Sequence, residues 1–152
     1  MEDSFLKVPK VGVGVLVVRD DQVLLGKRCG RHMNGLYAAP GGHLEYGESF
    51  VECASREVKE ETGLDLDSLA FLMIGNYELD SRHYVDVDMV AVASTGDARV
   101  MEPDKCEHWR WYCFDDLPSP LFIVTERMIE AYLHGYNADS LSIERILKQK
   151  GL

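Results

Sequence analysis

The stretch that decides the fold runs from residue 42 to residue 64 and reads GHLEYGESFVECASREVKEETGL. Within it, Ser49 and Glu52 have the spacing of a capping box, in which each side chain binds the other residue's backbone N–H at the start of a helix. Good helix formers continue to Thr62, and Gly63 offers the left-handed conformation that ends many helices. The stretch therefore predicts a loop followed by a helix that ends at Gly63.

Three carboxylates on this helix, Glu57, Glu60 and Glu61, stand at positions i, i+3 and i+4. They fall within an arc of roughly 100° near the end of the helix, where like charges repel and the helix already carries a partial negative charge. Carboxylate oxygens without His or Cys among them suit Mg²⁺ or Mn²⁺. A metal site bordering a cleft is one interpretation, and a solvated acidic face is the other.

The rest of the chain alternates strand and helix patterns. A hairpin is predicted over residues 11–18 and 23–25, a short segment over 36–39, and antiparallel strands over 69–79 and 83–93. Further strands are predicted over 98–101 and 108–114, and further helices over 124–134 and 140–150. This order of elements indicates an α+β fold with a mixed sheet between helices, rather than a regular βαβ series.

Composition narrows the class of protein. With 152 residues and 46% apolar content, the sequence is typical of one globular domain spanning residues 1–152. Its 16 basic and 26 acidic residues give a net charge of -10 without a Lys/Arg run, which argues against nucleic acid polymers and anionic membranes as partners. Four cysteines without a C-x-x-C pair, and a polar N-terminus, favour a cytoplasmic location.

Read as a whole, the stretch from Gly42 to Leu64 fits the pattern G-x5-E-x7-R-E-U-x-E-E-x-G-U, where U is aliphatic, at every fixed position. That pattern is the Nudix box, and the chain is identified by it as a member of the Nudix family. Residues 11–28, 40–48 and 101–121 extend the resemblance to small nucleoside-triphosphate diphosphatases, the MutT-related group that includes the human nudix type 15 enzyme and its plant counterparts.

The resemblance implies a three-layer α/β/α sandwich whose box helix and flanking loops form the metal site. Glu57 and Glu61 resemble Mg²⁺ ligands, and the carbonyl of Gly42 would complete the metal's coordination. Glu60 resembles a third ligand or the group that positions the attacking water. The resemblance also favours a homodimer.

Other residues take roles by the same resemblance. Arg56 and Glu48 resemble the pair that ties the ends of the box together, and Arg28 stands where family members present a base to the phosphates. Glu107 or Glu102 lies in the segment from which some members supply a further metal ligand or base; the choice between them is open.

Two residues are candidates for contacts with a nucleobase. Phe122 is an aromatic that could stack on the base. Asp86 and Asp88 alternate with apolar residues on the strand that passes the base pocket in relatives, and Asp86 is expected to line that pocket. The alternative is that both acids face water, since acids are rarely buried.

The leading functional hypothesis is a Mg²⁺-dependent hydrolase that cleaves nucleoside triphosphates, including oxidised or other non-canonical ones, to a nucleoside monophosphate and pyrophosphate. A second hypothesis is a hydrolase of another linked diphosphate, such as a nucleotide sugar, a dinucleotide or a pterin triphosphate. A third is a nucleotide-binding module without turnover. Three mutually repelling carboxylates disfavour the third, because a pure binder has no need of them.

Overall fold

The β-branched segment near the start of the chain forms the centre of a mixed sheet. The computed structural model describes residues 7–136 and 141–146, which fold into eight strands and two helices. The strands are β1 (Lys10–Arg19), β2 (Gln22–Arg28), β3 (Tyr37–Ala38), β4 (Gly41–His43), β5 (Ser68–Leu79), β6 (Arg82–Val92), β7 (Cys106–Cys113) and β8 (Glu144–Ile146). The helices are α1 (Phe50–Thr62) and α2 (Ile123–His134).

The strands form one sheet in the order β3-β2-β1-β6-β5-β8, with β4 also paired to β1 and β7 also paired to β2. The hairpins β1–β2 and β5–β6 are antiparallel, as the sequence predicts, and the central pair β1–β6 is parallel. In that parallel pair Gly12 lies opposite Asp86 and Val15 lies opposite Met89. The register therefore puts the glycines of β1 beside the acids of β6.

The two helices cover opposite faces of the sheet. On one face, Ala54 and Val58 of α1 pack with apolar residues of β1 and β6 and with Trp109. On the other face, Val124 and Met128 of α2 pack with a second set of buried residues from β1, β2 and β5. This arrangement confirms the α+β class and the three-layer sandwich. No helix within the described residues is long and apolar enough to cross a membrane.

The start and end of α1 confirm the predicted caps. The Ser49 hydroxyl accepts a hydrogen bond from the Glu52 N–H at 3.1 Å, and the Glu52 carboxylate accepts one from the Ser49 N–H at 2.7 Å. Gly63 takes the left-handed conformation, with φ of 76°, and its N–H donates to the Lys59 carbonyl. Local chemistry thus fixes both ends of the helix that carries the acids.

The predicted strand over residues 98–101 is wrong, because this segment serves the end of α1 instead of a sheet. The Arg99 N–H donates to the Thr62 carbonyl at 2.8 Å, and the Met101 N–H donates to the Glu61 carbonyl at 3.4 Å. The last carbonyls of a helix have no partner within it. An extended segment crossing the helix end supplies the donors that they need.

The predicted helix over residues 140–150 is also wrong in its described part. Residues 144–146 form β8, which pairs in parallel with the end of β5, Tyr77 lying opposite Glu144. The edge of β5 offers unpaired backbone groups, and Arg127 of α2 holds Glu144 in a salt bridge at 2.7 Å. The remaining residues of that prediction, 140 and 147–150, lie outside the described residues.

Candidate active site

A cavity of about 520 Å³ opens between the sheet and the N-terminal half of α2. Its floor includes Gly12 and Gly14 of β1, and its walls include Thr125 and Met128 of α2 and the turn between β5 and β6. Glycine at both floor positions leaves room for the side chains of Asp86 and Asp88 on the neighbouring strand. The charged residues on its lining are Arg28, Glu61, Asp80, Arg82 and Asp86.

Glu61 is the most buried acid of the α1 cluster, with 8% of its surface exposed. Its carboxylate accepts a hydrogen bond from the Gly41 N–H at 3.0 Å and lies 3.9 Å from the Arg28 guanidinium. Its backbone carbonyl accepts a second bond, at 3.1 Å, from the indole N–H of Trp109. Burial raises the pKa of Glu61 to about 7, and the Gly41 N–H and Arg28 only partly oppose this. The carboxylate is held in place but lacks a full countercharge.

Glu57 lies directly against the backbone of Gly42. A Cβ added to Gly42 would collide with the Glu57 carboxylate, so only glycine leaves room for it there. The Arg56 guanidinium donates to the same carboxylate at 2.8 Å. Burial raises the pKa of Glu57 despite that bond. Glu57 and Glu61 thus approach two adjacent residues of β4, Gly42 and Gly41.

Arg56 joins the box helix to the loop before it. It donates to both oxygens of Glu48, at 2.6 and 3.1 Å, and to the His43 carbonyl at 3.2 Å. The hydrogen bond from Arg56 lowers the pKa of Glu48 to about 2. Arg56 also lies 3.3 Å from Glu60, whose side chain is 52% exposed. The ion pair between Arg56 and Glu48 therefore joins the two ends of the box, as the resemblance implies. Glu60 lies at the exposed rim of the acidic cluster.

The acids of α1 are not grouped as a complete set of metal ligands. Within residues 7–136 and 141–146, no three side chains of the His, Cys, Asp and Glu types are grouped closely enough to hold a metal ion. Arg56 binds Glu57 and approaches Glu60, so it supplies part of the countercharge that the repelling acids require. The carboxylates of Glu57 and Glu61 and the backbone carbonyl of Gly42 nevertheless provide oxygen donors, which suit a hard divalent cation. Gly42 has no side chain and so leaves room for the Glu57 carboxylate.

The structure separates the two candidates for an additional acid. The charge of Glu102 acts on both Glu57 and Glu61 and raises the pKa of each. Glu107, by contrast, is exposed on β7 and forms an ion pair with Lys27 at 3.3 Å. Glu102 is also ion-paired, with Lys105 at 3.2 Å. Because its charge nevertheless acts on Glu57 and Glu61, Glu102 is favoured over Glu107, a choice that the sequence left open.

The two candidate substrate contacts at the cavity wall lie where the sequence suggests. Arg28 ends β2, lines the cavity, and is mostly buried, with its Nε lacking a hydrogen-bond partner among the described residues. Phe122 lines the cavity as the residue just before α2, held by a bond from its N–H to the Tyr37 carbonyl at 2.8 Å. The cationic side chain of Arg28 and the aromatic residue Phe122 therefore line the same cavity.

The acids of β6 are not on a solvated face. α2 covers this side of the sheet, so Asp88 is 0% exposed, while Asp86 lines the cavity. Sequence reasoning singled out Asp86 and gave Asp88 no role. The burial of both acids could have been recognised from the glycines at positions 12 and 14, because residues without side chains leave room for acids on the neighbouring strand.

Substituting Gly42 or Gly41 by Ala should separate site geometry from folding. We expect Gly42→Ala to lower kcat/KM at least about tenfold with little change in Tm, because the new methyl displaces only the end of the Glu57 side chain. Gly41→Ala should lower Tm, because its methyl would meet the backbone of Val13 and Gly14. Thermal unfolding and steady-state kinetics check both. Equal kinetics for Gly42→Ala and the unmodified protein would contradict the placement of Glu57.

Comparisons with known proteins agree with this architecture. The NUDIX domain family matches residues 8–132. The solved structure of a MutT NUDIX hydrolase from Burkholderia pseudomallei superimposes with a TM-score of 0.76 and 35% identity, covering 81% of this chain and 97% of that one. The NUDIX domain of Shewanella oneidensis NrtR, solved with ADP ribose, superimposes with a TM-score of 0.75 at 20% identity, covering 88% of this chain and 92% of that one, and shows the fold alone.

Curated relatives point to a different branch from the sequence-based resemblance. The NAD-capped RNA hydrolase NudC of Pseudomonas syringae pv. tomato is 38% identical over 122 residues, which cover 78% of this chain and 42% of that protein. NudC of Vibrio vulnificus is 29% identical over 130 residues, with 83% and 48% covered. The chain thus spans less than half the length of these relatives, which carry the NudC name rather than that of the nudix type 15 group.

Proposed function

Because the chain belongs to the Nudix family, we propose that it is a divalent-metal-dependent hydrolase of diphosphate bonds in nucleotides, with nucleoside triphosphates as substrates and a nucleoside monophosphate and pyrophosphate as products. The supporting observation is the position of Glu57 and Glu61 against Gly42 and Gly41, beside a cavity that Arg28 and Glu61 line. This places the acidic cluster beside a space large enough for a small ligand.

Glu57, Glu61 and the Gly42 carbonyl would hold Mg²⁺ or Mn²⁺, which when bound neutralises phosphate charge and lowers the pKa of a bound water. Arg28 binds the phosphates as a fixed cation at the cavity wall. Glu60, at the exposed rim, orients the attacking water. The water oxygen bonds to one phosphorus of a P–O–P bridge, the bridging oxygen leaves with the other phosphorus, and the water's proton passes to solvent, which gives the monophosphate and pyrophosphate. Arg56 keeps Glu57 aligned by bonding it and the loop at once.

The choice of substrate is the finer part of the proposal. The names of the NudC relatives favour a second candidate, the diphosphate of an NAD-type dinucleotide, free or at the end of an RNA. A net charge of -10 favours small substrates over contacts along an RNA backbone, whose binding requires clustered cations. The acids of α1 repel a phosphate unless a cation neutralises them. They therefore favour a metal-dependent enzyme over a module that only binds nucleotides.

A hydrolysis screen with product identification tests this proposal. The purified chain with Mg²⁺ is offered nucleoside triphosphates, NAD, a nucleotide sugar and an NAD-capped RNA, with excess chelator as the control. We expect monophosphate and pyrophosphate from triphosphates, and no turnover in chelator. Faster cleavage of NAD or of the capped RNA would replace the substrate assignment, and absence of turnover on every substrate would overturn the enzymatic function.

A further inference from the structure

Strand β6 places two carboxyl groups side by side on the face covered by α2, where β1 has only glycines. A Cβ on Gly12 would collide with the Asp86 carboxylate, and a Cβ on Gly14 would meet Asp88 and the end of Met128. Both glycines line the cavity, as do Asp86 and Met128. The two acids therefore fill the space that missing side chains leave at the cavity floor.

Asp88 lies in surroundings that do not support a negative charge. It is 0% exposed; one carboxyl oxygen accepts the Gly14 N–H at 3.2 Å, and the other is buried without a partner among the described residues. The nearby charge of Asp86 repels a second negative charge. An isolated buried carboxylate is costly and keeps its proton instead. Burial accordingly raises the pKa of Asp88 well above its ordinary range.

Asp86 differs from Asp88 because it borders the cavity. Burial raises its pKa to about 6, which still leaves it mostly ionised at neutral pH. Two neighbouring acids on one apolar face do not both ionise readily, so a neutral Asp88 allows Asp86 to carry the charge. An ionised carboxylate accepts hydrogen bonds and donates none.

We propose that Asp86 selects a nucleobase whose edge offers N–H donors, and that buried Asp88 is a positioning residue that stays protonated and keeps Asp86 an acceptor. This inference rests on the proposed function for the identity of the ligand as a nucleotide. Asp86 contacts the base, and Asp88 acts only through Asp86 and the Gly14 N–H.

The donor pattern of each base ranks the ligands. Guanine presents two adjacent donors, its N1–H and its amino group, which match the two oxygens of a carboxylate. Cytosine presents an amino group beside an acceptor nitrogen, so one contact is lost. Thymine presents a single N–H between two carbonyl oxygens that repel a carboxylate. A site that requires donors rejects a base that lacks them, because its own polar group is left unpaired.

Binding of nucleoside monophosphates in excess chelator tests the inference without turnover or metal. Isothermal titration compares GMP, CMP and TMP on the unmodified protein and on Asp86→Asn, Asp88→Asn and the control Asp21→Asn, whose exposed acid lies in the β1–β2 turn. We expect GMP to bind at least about tenfold tighter than TMP. Asp86→Asn should remove most of that ratio, and Asp88→Asn and Asp21→Asn should keep it within about twofold.

Infrared spectroscopy tests directly whether Asp88 carries its proton, which the inference requires. The difference spectrum between the unmodified protein and Asp88→Asn at neutral pH should contain the carbonyl stretch of a protonated carboxylic acid. Loss of selectivity in Asp88→Asn, absence of that band, or equal binding of all three monophosphates would overturn the inference. Selective binding by a protein that hydrolyses none of the screened substrates would leave the inference standing and reject only the proposed function.

Discussion

Glu57→Gln and Glu61→Gln are each expected to lower kcat/KM at least about a hundredfold with Mg²⁺ present, because each removes a charged oxygen donor from the proposed metal site. Both side chains are nearly buried and sit against glycine backbone, so an isosteric amide fits the same space. In metal-free buffer both variants should be at least as stable as the unmodified protein, since one repelling charge is gone. Activity and stability then change in opposite directions.

The matched control is Glu126→Gln, which removes an exposed acid from α2. It should keep its turnover within about twofold, since lone surface charges contribute little. Steady-state kinetics over a range of Mg²⁺ concentrations distinguish weakened metal binding from lost catalysis. Parallel substitutions of Glu102 and Glu107 test the assignment of the additional acid, and Glu102→Gln should have the larger effect. Full Mg²⁺-dependent activity in both Glu57→Gln and Glu61→Gln would refute the site.

Stability of the metal-free protein is expected to fall as pH rises from about 4.5 to about 7, through Glu61. In the unfolded chain this carboxyl loses its proton near its ordinary pKa of 4.5, whereas burial raises its folded pKa to about 7. Between those values the unfolded state binds fewer protons, so folding becomes less favourable with rising pH. The full decrease in the free energy of unfolding due to Glu61 is about 3 kcal/mol, and it stays constant above the folded pKa.

Urea unfolding of the unmodified protein and Glu61→Gln in chelator, at about pH 5 and about pH 8, measures this contribution. The variant should be the more stable of the two at the higher pH, with a smaller difference at the lower pH. Asp86, with its pKa raised to about 6, adds a trend of the same sign to both proteins and cancels in the comparison. Saturating Mg²⁺ should stabilise the unmodified protein more, because the cation binds its folded state. Parallel pH profiles for the two proteins would contradict the prediction.

The elements fixed by local chemistry were predictable from the sequence. Ser49, Glu52 and Gly63 define α1 through contacts within the helix and its immediate neighbours, so the position of the acids on the helix follows directly. The two hairpins likewise follow from strand patterns separated by short turns. The three-layer sandwich was implied by the resemblance to the Nudix family, whereas the local patterns alone indicated a mixed sheet with helices.

The predictions that failed depend on distant partners. Residues 99 and 101 bond the end of α1, and residues 144–146 take their strand conformation from the edge of β5, neither of which is visible in a local pattern. Asp88 resembles a surface acid by its alternation along β6, and only the packing of α2 buries it. The sequence could not choose the additional acid of the metal site for the same reason, because the ion pair between Glu107 and Lys27 joins two strands that are distant in the sequence.

The parallel pairing of β1 with β6 also affects when the cavity can form as the chain folds. The Gly14 N–H and Asp88, which meet across this pair, lie 74 residues apart in the chain. Long-range pairings close large loops before any compensating contact forms, which slows folding. On the ribosome, α1 leaves the exit tunnel before β6, because it precedes β6 in the chain. The nascent chain therefore exposes its acidic helix before the floor of the cavity exists, and the cavity is complete only after β5 and β6 have joined the sheet.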